Sequence, residues 1–336
     1  MVSLADIQAS NSQISTVLPP VLVAIFIGGT SGIGKITLKK FAKYSLQPRA
    51  YIVGRSQSAA ERIIAECRML NPEGEYIFIK ADVSLMKVVD EVCETIKAQE
   101  KFVNLLFLSA GFPSIDGAET SEGLVLLSAL MVYSRARFIM NLLPIIKVAP
   151  ALRRIITVAG GGREGQLYPD DYPARQLSLM RMRHHLITVI TLSMEALAKF
   201  APEVSFIHDY PGTVKTPLLD HNLGIISVFL RAFIFLFGWY VCVPLEECGE
   251  RHLFMATSLR YAPKLGEGAD GVKLGSGDVF NGSDGEVGSG VYSVKSDCES
   301  ASAASLKLLA KYRSQGLVED VWKHIDGEFK RISEEN

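Results

Sequence analysis

The chain is expected to fold as an α/β protein, a doubly wound parallel sheet covered on both faces by helices, forming a three-layer α/β/α sandwich in a single domain with an apolar lid. Three observations predict this. Short, apolar, β-branched runs alternate with helix-length amphipathic sequence along most of the 336 residues. The runs are apolar at nearly every position, as in strands buried on both faces. The first of them, Val21 to Ile27, passes directly through a glycine-dense turn into an amphipathic stretch ending at Lys43.

Residues 1–20 form a polar extension without a charged start and a long apolar run, so no secretory signal is expected and the protein is placed in the cytoplasm. After the strand Val21 to Ile27, Gly34 opens a helix whose Ile33, Thr37, Leu38, Phe41 and Ala42 share a face. Gly28 permits the tight turn, Gly32 lets backbone N–H groups approach a pyrophosphate, and Gly34 allows the helix to pack closely on the strand. Thr30 and Ser31 lie within the same turn. The helix N-terminus adds the positive end of its dipole, so the segment reads as a cradle for dinucleotide phosphates.

Arg49 to Val53 reads as the second strand and Ala59 to Leu70 as its helix, closed by Asn71 and Pro72. Tyr76 to Lys80, Asn104 to Leu108, Arg154 to Val158 and Val204 to His208 complete six strand candidates. Right-handed crossovers then fix the sandwich. Leu223 to Val243, interrupted only by Arg231, is nearly long enough to span a bilayer. A span there would carry the following elements away from the nucleotide half of the same fold, so the segment, part of a lid at about 218–245, is expected to close over a lipophilic substrate. Contact with a membrane surface through 223–243 is the competing reading. Gly266 to Gly290 has nine glycines in 25 residues and is expected to be a mobile surface loop. Gly316 to Ile332 is an amphipathic helix with Leu317, Val321, Trp322, Ile325 and Phe329 on one side. The main domain is thus set at 21–300 and a C-terminal helical segment at 301–336.

With 35 basic and 36 acidic side chains the formal charge is −1, which disfavours nucleic acid as a partner. Five scattered cysteines lack the spacing of zinc or disulfide frameworks, and no metal site is expected.

The Val21 to Lys43 segment resembles the short-chain dehydrogenase/reductase family, whose pattern is Thr-Gly, three residues, then Gly-x-Gly; Ile27 stands where that family has Thr. Matches extend to about Ser258. The resemblance implies a Rossmann-like fold, a last strand at Val291 to Val294, and a nicotinamide cofactor. An acidic side chain at the end of the second strand would bond a ribose 2′-OH and repel a 2′-phosphate. Here Gly54, Arg55 and Ser56 stand instead, and Arg55, with Lys35 nearby, favours NADP(H). By resemblance Asp82 meets the adenine ring, and Ala110 and Gly111 pass beneath the adenosine ribose, with Leu108 and Ser109 where the family has two asparagines. After the sixth strand, Pro211, Gly212, Val214 and Thr216 match the segment that lies over the nicotinamide.

In the family a Ser, a Tyr and a Lys four residues beyond the Tyr serve hydride transfer that reduces a carbonyl or, in reverse, oxidises an alcohol. At the Ser position this chain has Ala159 or Gly160, neither with a hydroxyl. The following helix, Ser178 to Lys199, contains no Tyr. Tyr172, Arg181 and His185 are the candidates that remain, each imperfect: Tyr172 is followed by Pro173, an Arg is a poor proton relay, and a helix histidine is more often structural. The reading is an NADP(H)-dependent oxidoreductase acting on a lipophilic ketone or alcohol, resembling the divergent reductases of fungal secondary metabolism, with dimers or tetramers open to it. A non-redox isomerase, cyclase or dehydratase on the same scaffold, and a non-catalytic NADP(H)-binding protein, are the alternatives.

Overall fold

In the computed structural model, described for residues 2–111, 117–214, 242–266, 271–273 and 279–334, seven parallel strands form one sheet: β1 (Val23–Ile27), β2 (Arg49–Gly54), β3 (Glu75–Lys80), β4 (Leu105–Leu108), β5 (Arg154–Val158), β6 (Ser205–Asp209) and β9 (Val291–Val294). Their order is β3-β2-β1-β4-β5-β6-β9. A separate parallel pair joins β7 (Thr213–Val214) to β8 (Cys242–Val243). The expected strands are present with ends shifted by one or two residues, and the last strand is the one expected. All five residues of β1, β5 and β6 are buried, as helices on both sides of the sheet require.

One helix layer comprises Met86–Lys97, Leu126–Lys147, Leu179–Ala198 and the C-terminal pair Ala303–Ser314 and Leu317–Glu334. Leu126–Lys147 is long and apolar enough to cross a membrane, yet most of it is buried in this layer. Leu317–Glu334 buries Val318, Val321, Ile325, Phe329 and Ile332, the period of an amphipathic helix. The other layer comprises Gly32–Tyr44, Gln57–Leu70 and Leu245–Thr257.

The polar N-terminal extension is part of this second layer. Ser3 caps Leu4–Ser12 by accepting from the Asp6 N–H, and Ile7, Ile14 and Leu18 are buried. Asn11 donates to Glu250 O at 3.0 Å and Glu250 Oε2 at 2.7 Å, tying the extension to Leu245–Thr257. The glycine-rich segment is partly packed: Phe280 and Ser283 are buried, while 267–270 and 274–278 lie outside the described residues.

Two buried polar side chains clamp the amino ends of the strands. Asn104 accepts from Val23 N–H at 2.9 Å and donates to Ala151 O at 2.8 Å, fastening β1 and the approach to β5 to the start of β4. The Arg154 guanidinium donates to Ser205 Oγ, Ser258 O and Tyr261 O. Such bonds are needed where polar groups are cut off from water.

Candidate functional site

The chain leaves the carboxyl ends of the paired strands β1 and β4 toward opposite helix layers where the strand order reverses, and there a cleft of about 420 Å³ opens. Its first wall is the β1 turn. Gly28 has φ +88°, and a Cβ on it would meet the Ala110 nitrogen at 2.7 Å. A Cβ on Gly34 would lie 2.5 Å from Gly28 O and from Ser109 Oγ, so the Gly32–Tyr44 helix can approach the strand only because that position is bare. The first helical bond runs from Lys35 N–H to Ser31 O. The amides of Gly32, Ile33 and Gly34 therefore precede the helical ladder, and the Ser31 side chain makes no capping bond. Thr30, Ser31, Gly32 and Ile33 line the cleft.

The second wall comes from the ends of β2 and β3. Arg55 lines the cleft, is exposed, and forms no ion pair among the described residues. Asp82 lines it too; its Oδ1 accepts from Ser84 N–H and Ser84 Oγ at 3.1 and 2.8 Å. Ser109, Ala110 and Gly111 after β4, Leu126 and Leu130 of the next helix, and Val158 at the end of β5 complete the lining. These parts fit a nicotinamide dinucleotide: a backbone approach that a single Cβ would close, first-turn amides ahead of the helical ladder for the diphosphate, and, at the end of β2, a guanidinium with no ion pair among the described residues.

Several expected residues are placed differently. Lys35 does not line the cleft; its Nζ sits 3.0 Å from Glu66 Oε1, where the helical turn points it at Gln57–Leu70. Pro211, Gly212 and Val214 follow β6 at the same end of the sheet but are outside the described lining, with Gly212 at φ +81° packed against Val243. Thr216 and most of the lid, 215–241, lie outside the described residues.

The three candidate proton donors are not at the cleft. Tyr172 stacks on His324 with ring centroids 4.9 Å apart, against the C-terminal helix, and its buried hydroxyl has no hydrogen-bond partner among the described residues. Burial pushes its pKa up to about 12. His185 accepts from Tyr168 N–H through Nδ1 at 3.1 Å, leaving Nε2–H to donate to Tyr172 O at 3.0 Å. Burial lowers its pKa, so both ring nitrogens serve the backbone of a neutral imidazole. Arg181 is exposed in the first turn of Leu179–Ala198. Among the described residues lining the cleft there is no Tyr, His or Lys.

After β5 the chain folds back over β6. A Cβ on Gly161 would lie 2.0 Å from His208 O, and Gly160 N–H donates to His208 Nε2 at 3.1 Å. His208 Nδ1–H then faces Thr191 Oγ1 at 2.8 Å, and Thr191 donates to Glu164 Oε1 at 2.9 Å. Burial raises the Glu164 pKa. The sequence reading missed this network, because its members are far apart along the chain.

The family model for short chain dehydrogenase matches residues 22–138, a segment that holds every described lining residue of the cleft except Val158. Oxidoreductase AN1596 of Emericella nidulans is 42% identical over 331 residues, covering 97% of this chain and 97% of that protein. Short-chain dehydrogenase/reductase SAT2 of Stachybotrys chartarum is 30% identical over 336 residues, covering 94% of each. The chain belongs to the short-chain dehydrogenase/reductase family. It is an oxidoreductase related to fungal members along nearly its whole length. Among solved structures, L-sorbose reductase of Gluconobacter frateurii complexed with NADPH and L-sorbose shares the fold, with a TM-score of 0.54 at 17% identity, over 75% of this chain and 94% of that one.

Proposed function

We propose that the protein is an NADP(H)-dependent reductase or dehydrogenase of a lipophilic ketone or alcohol, serving secondary-metabolite biosynthesis. The observation that carries the cofactor choice is Arg55: a guanidinium without an ion pair among the described residues, at the end of β2, where an acidic residue would select the unphosphorylated ribose. When bound, the nicotinamide supplies or accepts a hydride. The chain's own residues hold the diphosphate on the Gly32 to Gly34 amides, the 2′-phosphate on Arg55 and the adenine edge beside Asp82. The apolar composition of 223–243 supports a lipophilic substrate.

The test is calorimetric titration of wild type and R55A with NADPH and NADH. Loss of a charge-assisted contact predicts NADPH binding weakened by about 10- to 100-fold, with NADH binding unchanged. Equal NADPH affinity in R55A and wild type would refute the assignment.

The absence of Tyr, His and Lys from the described lining favours a second reading, a non-redox isomerase, cyclase or dehydratase on this scaffold. Product formation with no change in cofactor absorbance, and undiminished turnover without cofactor, would select it.

A further inference from the structure

Within Leu126–Lys147 the winding changes to a π-helix at Ala129–Tyr133. Turns of this kind leave the regular ladder and often sit at functional sites. Arg135 follows two residues later and is 4% exposed. Three backbone carbonyls fix its guanidinium: Nε donates to Leu130 O at 3.3 Å, one terminal nitrogen to Val158 O at 2.9 Å, and the other to Ala110 O at 2.9 Å. Leu130, Val158 and Ala110 all line the cleft. The charge therefore lies directly behind the cleft floor, at the carboxyl ends of β4 and β5.

No carboxylate among the described residues forms an ion pair with Arg135. Asp209, the acid whose field reaches it, is held by His252, whose Nε2 lies 2.9 Å from Asp209 Oδ2. The His252 Nδ1–H donates to Cys248 O at 2.6 Å, so both ring nitrogens are donors and the imidazolium balances Asp209. Burial draws the Arg135 pKa down to about 10, against the pull of Asp209, and the group stays charged at neutral pH. A buried charge with no counter-ion among the described residues is costly, and neutral side chains could bind carbonyls at less expense.

The orientation of a dinucleotide follows from the two walls. Were Arg55 and Asp82 at the β2 and β3 ends to take the adenosine half, and the Gly32 to Gly34 amides the diphosphate, the nicotinamide half would lie toward β4 and β5, on the other side of the strand-order reversal. That is the part of the floor backed by Arg135.

We propose that Arg135 is a positioning residue that sets the redox preference of the site. Its fixed cation disfavours the positively charged ring of NADP⁺, favours the neutral ring of NADPH, and biases the enzyme toward substrate reduction. The phosphates carry the same charge in both forms, so the ring accounts for the difference. This rests on the NADP(H) reading above. By Coulomb's law at an effective dielectric of about 20, a unit charge at a separation of roughly 8 to 12 Å would change a binding ratio by about 10- to 30-fold.

The experiment is calorimetric titration of the full chain with NADPH and with NADP⁺, in wild type, R135M and R135K, with circular dichroism melts to establish folding. Wild type is expected to bind NADPH about 10- to 30-fold more tightly than NADP⁺. R135K, which keeps the charge, retains most of that ratio, and R135M brings it close to one. Equal affinities in wild type overturn the inference, as does a folded R135M with the wild-type ratio. Should R135M not fold, the wild-type ratio and its retention in R135K decide. Failure of wild type to bind either coenzyme would instead remove the functional reading on which the inference stands.

Discussion

Replacing Gly34 by Ala adds one methyl group at a point already occupied. The new Cβ would lie 2.5 Å from Gly28 O and 2.5 Å from Ser109 Oγ, closer than real carbon atoms approach. Ser109 can rotate away, at the loss of its 3.1 Å bond to Ile27 O. Gly28 O cannot, since it belongs to the turn that joins β1 to the helix. The helix must retreat, and overpacking of this kind costs about 1–3 kcal/mol. Ala also gains about 1 kcal/mol in helix propensity over Gly, leaving a net loss of up to about 2 kcal/mol. Retreat withdraws the first-turn amides from the diphosphate, and losing one charge-assisted hydrogen bond weakens binding by about tenfold or more. Gly327 is the control: it is exposed in Leu317–Glu334, and a Cβ there meets nothing within 4 Å. G327A should therefore gain about 1 kcal/mol with NADPH affinity unchanged. Thermal melts and NADPH titration of the two variants side by side give the answer. If G34A melts higher, as G327A should, and binds NADPH like wild type, the reasoning from close helix approach is wrong.

Ile7 is wholly buried under the N-terminal helix, so I7A should cost about 2–5 kcal/mol in urea unfolding, whereas an undocked extension would cost nothing. Burial, reinforced by Arg135, lowers the His208 pKa to about 3. Between the unfolded value of 6.5 and that point only the unfolded chain takes the proton, so this group removes about 1.4 kcal/mol of stability per pH unit on acidification. H208Q should flatten the acid limb of the stability profile, measured by melts from about pH 7 to 4; an unchanged limb would reject the assignment. Y172F should keep wild-type turnover and gain up to about 1 kcal/mol, since it removes a buried hydroxyl with no partner among the described residues. A tenfold fall in turnover would put Tyr172 back in the chemistry.

The strands were legible because each is a short β-branched run covered on both faces, a signal contained in five or six consecutive residues. The glycine turn was legible for a similar reason: Gly28, Gly32 and Gly34 lie within seven residues and are constrained by backbone geometry. The N-terminal helix was less visible, because its Ile7, Ile14 and Leu18 are spread through polar sequence and are buried only against Leu245–Thr257. Lys35 was expected as a second cation near the phosphate by proximity in sequence, and its ion pair with Glu66, 31 positions on, could be seen only in the packed structure.

By itself the sequence determined the sheet, its helices, the glycine turn and the side chain at the end of β2, since each depends on local backbone preference or on a pattern of neighbours. Only the tertiary structure decided which titratable groups reach the cleft. It stacked Tyr172 on His324 of the C-terminal helix, tied both His185 ring nitrogens to the backbone of Tyr168 and Tyr172, and set Arg135 behind the cleft floor, on carbonyls 5, 23 and 25 positions away. The physical reason is that burial and charge pairing are set by distances between residues remote in the chain, and those distances exist only once the layers have packed.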